Sequence, residues 1–167
     1  DDHATWYRQM FGPSVEAGLV RPENLAGYRN GQVYIRGSQH RPLNIQAVRD
    51  AMPVFFELLR QEEDPTVSIV LAHFIFVYIH PYMDGNGRIG RLLISLLLSS
   101  EGLLVQPLLS LSAFFERRRK DYYRLLLDVS RRGAWTAWIE FFLAGVEEQA
   151  RDAIRRTGTL LDLRNEY

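Results

Sequence analysis

The chain has 167 residues, 47% of them hydrophobic, which suffices for one buried core and does not call for a second. Lys plus Arg and Asp plus Glu both number 20, so the chain is formally neutral at pH 7 and lacks the charge excess of a direct nucleic-acid binder. Cysteine is absent, which excludes a disulfide framework and thiol chemistry.

No apolar run reaches the roughly 20 residues of a membrane span, and Arg91 interrupts the longest candidate. The start, Asp1-Asp2-His3, lacks the basic segment of a signal peptide. A cytoplasmic chain without a membrane partner is therefore expected.

Residues 5–11 read as the tail of an amphipathic helix that Gly12-Pro13 should stop. The next clear signal is extended. Asn30-Gly31 is a turn dipeptide, and Gln32 to Arg36 alternates around Val33 and Ile35. Gly37-Ser38 can turn the chain back, which predicts a small β-hairpin between about Gln32 and Leu43. Two short strands are marginal alone, so the hairpin must lie on a helical body. Its edge is either purely structural or accepts an extended peptide as an added strand.

Ile45, Val48 and Met52, then Phe55, Leu58 and Leu59, show helical spacing, with Pro53 expected to break or kink the run. Asp64-Pro65 is a helix start. The following residues, to Ile79, are nearly all apolar, as in a central buried helix. His73 on that helix reads as a hydrogen-bonded core residue.

The chemistry concentrates in His80-Pro81-Tyr82-Met83-Asp84-Gly85-Asn86-Gly87-Arg88-Ile89-Gly90-Arg91. Leu92 to Leu98 continues as a helix closed by Gly102, so the glycines sit at a helix N-terminus. There the first N–H groups lack intrahelical partners and the macrodipole favours negative charge. Glycines let backbone approach a ligand closely. The result is a cradle for an anion, most simply phosphate, with Arg88 and Arg91 adding two charged forks. Asp84 would repel phosphate unless a divalent cation lies between, and Mg²⁺ commonly uses one carboxylate plus substrate phosphates. His80 titrates near neutrality and suits general-base work. Gly85-x-Gly87-x-x-Gly90 also matches the dinucleotide fingerprint, but no strand precedes it and no acidic residue stands about 20 positions on.

The rest reads as helix. Leu103 to Leu111, with Pro107, is a loop tucked into the core, and Ser110 or Ser112 caps the next piece. Glu116 to Asp121 is a solvated charge run on a helix that continues through Tyr122 and Tyr123 to Gly133. Trp135, Trp138, Phe141 and Phe142 open a long amphipathic helix, and Leu160, Leu161 and Leu163 begin a further short one.

His80-Pro81-Tyr82-x-Asp84-Gly85-Asn86-Gly87-Arg88-x-x-Arg91 resembles the signature of the Fic family, H-P-F-x-[DE]-G-N-G-R-x-x-R, with Tyr82 in place of Phe. The resemblance spans about residues 25–146 of a single domain over 1–167. It implies an all-α, Fic-type helical bundle with a β-hairpin flap, and transfer of AMP from Mg-ATP to a hydroxyl of a target protein. It further implies His80 as base, Asp84 as Mg²⁺ ligand, and Asn86 at the α-phosphate. The backbone of Gly85, Asn86 and Gly87 would receive phosphates, and Arg88 and Arg91 would hold the β- and γ-phosphates. Ile89 and Gly90 are carried with the motif. Val33, Tyr34, Ile35 and Arg36 on the flap would lie near the nucleotide, Tyr122 and Tyr123 near adenine, and the target would dock on the flap. Other Fic-type transferases, AMP removal, an idle nucleotide-binding module and a homodimer all stay open at this point. The inhibitory pattern [ST]-x-x-x-E-[GN] of many relatives is not found.

Overall fold

The computed structural model describes residues 5, 9, 11–13, 15–18, 27–35, 37–105 and 109–166, the side chains to 164. Among the described residues from 45 onward six helices follow one another: α1 (Ile45–Gln61), α2 (Pro65–Ile79), α3 (Asn86–Ser100), α4 (Ser112–Arg117), α5 (Arg119–Arg132) and α6 (Trp135–Glu166). Residues 11–13 and 15–16 are helical as well.

The apolar sequence of α2 dictates its place. It has no continuous polar face to turn to water, so beyond its exposed first turn most of its residues are buried. Asp64 caps it by accepting from the Thr66 and Val67 amides, with Pro65 in the first turn. On one side Ile69, Val70 and Phe74 pack with Ile94 and Leu98 of α3, Phe114 and Phe115 of α4, Leu125 of α5 and Trp138 of α6. On the other side Ala72, Phe76, Val77 and Ile79 pack with Val48, Met52 and Phe55 of α1 and with Phe11 and Tyr82.

Helix α3 lies close against α2 because Gly90 leaves room. A Cβ there would stand 3.0 Å from Val77 Cγ1 and 3.4 Å from His73 Nδ1. His73 is fully buried and bridges three helices: its Nδ1 lies 2.8 Å from the Gly90 carbonyl and its Nε2 3.1 Å from the Tyr122 hydroxyl. The carbonyl can only accept, so Nδ1 carries the proton and the Tyr122 O–H donates to Nε2. His73 is thus the satisfied core residue the sequence suggested.

Several expectations fail for identifiable reasons. Pro53 does not split α1, which runs unbroken from Ile45 to Gln61 with Pro53 on its exposed face. Gly12-Pro13 does not end the first helical stretch; Gly18, at φ +71°, does, with its N–H on the Val15 carbonyl. The charge run breaks between α4 and α5 at Arg118, and the C-terminal leucines continue α6. Ser112 is the first residue of α4 and the N-cap position is Leu111, which makes no side-chain cap bond; Ser110 Oγ accepts from the Ser112 N–H at 3.4 Å. Pro107 lies outside the described residues.

The β-hairpin is absent among the described residues. Residues 32–35 and 38–44 carry no strand, and the chain reverses through a single turn, Ser38 N–H to Ile35 C=O at 3.1 Å. The arms meet by side chain instead, with Gln32 Nε2 donating to the Pro42 carbonyl. Pro42 has no N–H to give a ladder.

Candidate active site

The loop joining α2 to α3 is fixed from within. His80 ends α2 in the left-handed conformation, φ 55° and ψ 62°, while its N–H still closes onto Phe76 C=O at 3.0 Å. Among the described residues it is the one non-glycine with positive φ. Asn86, 1% exposed, spends its amide on the loop: Tyr82 N–H donates to Oδ1 and Nδ2 donates to Tyr82 C=O, both at 2.8 Å. Tyr82 is buried against Tyr28 and Phe76. Gly85 adopts φ +81°, and a Cβ on it would stand 2.2 Å from Phe11 Cζ. Only glycine satisfies both conditions.

This geometry delivers an open helix mouth. The first intrahelical bond of α3 is Ile89 N–H to Gly85 C=O at 2.9 Å. The amides of Asn86, Gly87 and Arg88 therefore have no partner within the helix, and the positive end of its dipole points with them. Arg88 is exposed, paired with Asp84 at 3.0 Å and set 4.6 Å from the centre of the Phe11 ring. Arg91, half-buried, donates from Nε to Ser112 Oγ at 3.1 Å.

His80 is held in a defined state. Its Nδ1 lies 3.3 Å from the Val77 carbonyl, which can only accept, so Nδ1 bears the proton and Nε2 the lone pair. Burial, opposed by that hydrogen bond and reinforced by the charges of Arg29 and His40, lowers its pKa from 6.5 to about 4, with Asp84 pulling the other way. The imidazole is therefore neutral at physiological pH.

The helix mouth and His80 open into one cleft of about 370 Å³, within the size range of small-molecule sites. Of the residues expected from sequence, Val33, Tyr34, Ile35, His80, Asp84, Gly85, Asn86, Gly87, Arg88, Arg91, Tyr122 and Tyr123 line it. Ile89 and Gly90 do not: Ile89 packs against the α1–α2 core, and Gly90 faces Val77 and His73. Arg36 lies outside the described residues. Asn86 reaches the cleft with its backbone, since its amide is turned onto Tyr82. The Tyr122 hydroxyl is committed to His73.

Sequence reasoning missed part of the wall. Leu126 and Leu127 stand one turn beyond Tyr122 and Tyr123 on α5, and Phe74 and Tyr78 share one face of α2. An i, i+4 extension of the tyrosine pair would have found the leucines. His40 carried no local signal. It joins the cleft because its Nε2 donates to the Tyr78 carbonyl at 2.9 Å, with the rings 4.8 Å apart.

For a cation, the donor set fits a metal delivered with phosphates rather than a complete protein cage. Asp84 offers one exposed carboxylate at the cleft, and no group of three His, Asp or Glu among the described residues is arranged to hold a metal. No helix among these residues is long and apolar enough to cross a membrane.

Fold and loop define an all-helical domain organised around a glycine-rich turn at a helix N-terminus. The Fic/DOC family profile matches residues 2–98. A protein adenylyltransferase Fic of Nematostella vectensis is 30% identical over 153 residues, covering 89% of this chain and 34% of that protein. A probable protein adenylyltransferase of Aquifex aeolicus is 35% identical over 80 residues, 47% of this chain and 25% of its own. The crystal structure of a Fic family protein from Desulfovibrio desulfuricans G20 superposes with a TM-score of 0.73 at 30% identity, covering 83% of this chain and 44% of that one. The chain belongs to the Fic/DOC family. It spans a quarter to a third of the length of the two curated relatives.

Proposed function

We propose that this domain transfers AMP from ATP to a Ser, Thr or Tyr hydroxyl of a target protein. The observation that carries the reading is the shared cleft: a neutral His80 with its Nε2 lone pair free of the Val77 bond, beside the unpaired amides at the start of α3. The relatives named as adenylyltransferases support the choice of AMP over other phosphate-bearing groups.

In this reading the target oxygen attacks the α-phosphorus of ATP and His80 Nε2 takes its proton. The bond from the α-phosphorus to the bridging oxygen breaks, and pyrophosphate departs toward Arg88 and Arg91. The amides of Asn86, Gly87 and Arg88 hold phosphate oxygens. Asp84 would hold Mg²⁺, which when bound screens charge on the phosphates. Arg88 and Asp84 are joined in a surface ion pair at 3.0 Å. Such pairs are worth little, so exchanging this one for phosphate and cation costs little. The adenine would rest against Tyr123, Leu126 and Leu127. Residues 32–35, in neither helix nor strand, with Tyr34 82% exposed, would meet the target's backbone.

Incubation of the domain with target lysate and ATP labelled at the α- or the γ-phosphorus tests this. The α label should appear on protein and the γ label should not. His80→Ala should lower transfer by about a thousandfold while calorimetry still records Mg-dependent ATP binding. Undiminished transfer in that variant, or protein labelled from the γ position, would overturn the reading.

A further inference from the structure

Arg29 is the largest charged side chain in the interior, 1% exposed. No carboxylate pairs with it among the described residues. A buried cation without an anion is costly unless backbone dipoles replace its water, and here three carbonyls do. Nε donates to His80 C=O at 2.9 Å, Nη1 to Gly31 C=O at 3.1 Å, and Nη2 to Leu43 C=O. Its own N–H donates to Pro81 C=O at 2.8 Å.

These acceptors are not a random set. Gly31 and Leu43 are the two feet of the loop that supplies Val33, Tyr34, Ile35, Ser38 and His40 to the cleft. His80 and Pro81 carry the left-handed turn that aims the imidazole. A planar guanidinium with five donors can span three carbonyls in fixed directions, which an ammonium cannot.

We propose that Arg29 is a positioning residue that makes the His80 turn and the 31–43 loop one unit, fixing the base relative to the surface that meets the target. The inference rests on the reading of His80 as base, and it adds that this base and the recognition loop cannot move independently. The loop has no strand ladder among its described residues, so the clamp at its feet does what a ladder would otherwise do.

Electrostatics supply a second readout. The groups that act on His80 are Arg29 and His40, which favour the neutral ring, Asp84, which favours the charged one, and the Val77 carbonyl. Removing the Arg29 charge therefore moves His80 titration to higher pH, whereas a role confined to packing leaves it in place.

The test compares Arg29→Gln with Arg29→Lys in the whole chain. Histidine titration followed by ¹⁵N NMR should shift the His80 midpoint upward in the Gln variant and leave it near the parent value in the Lys variant. Hydrogen exchange of the 31–43 amides should accelerate about tenfold or more in both. Transfer should lose about a hundredfold in kcat with the Kd for Mg-ATP within about twofold. A folded Arg29→Gln protein with unchanged His80 midpoint and loop exchange would overturn the proposal. Should the Gln variant fail to fold, unchanged loop exchange in Arg29→Lys would overturn it equally. If the parent protein transfers nothing, the adenylyl reading fails, while titration and exchange still decide the role of Arg29.

Discussion

The cleft has a floor and a rim built on opposite principles. The floor, from His80 to Arg91, is locked by its own groups: Asn86 on the Tyr82 backbone, Gly85 under Phe11, Gly90 against α2. Among its described residues the rim, 31–44, has one turn bond, a few side-chain ties and the exposed Tyr34. On the proposed function the contrast separates two tasks. Holding a phosphate and a base demands geometry fixed to fractions of an ångström, whereas meeting a target demands exposed backbone and surface.

The sharpest way to break the contrast is at the floor. Gly85→Ala adds a Cβ where φ is +81° and Phe11 Cζ would be 2.2 Å away. Strain plus overpacking should cost about 4 kcal/mol, read as a lowered urea midpoint. A shift no larger than that of a surface mutant would show that the floor yields.

Acid probes the layer beneath. The pKa of His73 falls from 6.5 to about 4, chiefly through burial, so the folded state favours the neutral ring. Its contribution is complete above pH 6.5 and is lost as pH falls through the window down to about 4. The loss should be on the order of 3 kcal/mol, with His80 acting in the same direction, and His73→Phe should flatten the curve of stability against pH. An equally steep curve in that variant would place the acid sensitivity elsewhere.

Asn86→Ala should follow at about 2 kcal/mol, because it removes both hydrogen bonds that the Asn86 amide makes to the buried Tyr82 backbone. It should also lower transfer with little change in the Kd for ATP, since α3 still begins with the same amides. At the rim, Tyr34→Ala should change stability by less than about 0.5 kcal/mol yet raise the KM for the target protein. A fall in melting temperature comparable to that of Asn86→Ala would erase the distinction between floor and rim.

The floor was far more legible in sequence than the rim, and for the same reason. Its determinants are local: Asp64-Pro65 announces α2, Gly85-Asn86-Gly87 announces a turn into α3, and His80 and Asp84 lie within a few residues of both. What sequence did not convey depends on the folded backbone or on partners distant in the chain. The direction of the Asn86 amide is set by Tyr82 backbone within the folded loop. Arg29 reaches 51 residues along the chain to His80, and His40 reaches 38 to Tyr78. Val33 and Ile35 alternate like a strand, but Pro42 on the return arm denies them a ladder, so the pattern misled. Pro53 misled in the opposite sense, because an exposed helix face tolerates the missing bond.

The left-handed backbone at His80 carries a cost of about 1 kcal/mol that glycine would not incur. Against that cost, folding offers the histidine only its Nδ1 bond to the Val77 carbonyl. A lineage that retained the scaffold after losing its chemistry should drift toward glycine or asparagine there, while Asn86 and Gly85, which the scaffold itself requires, persist. The pairing of residues at 80 and 86 across distant members of the family would thus distinguish working copies from retired ones.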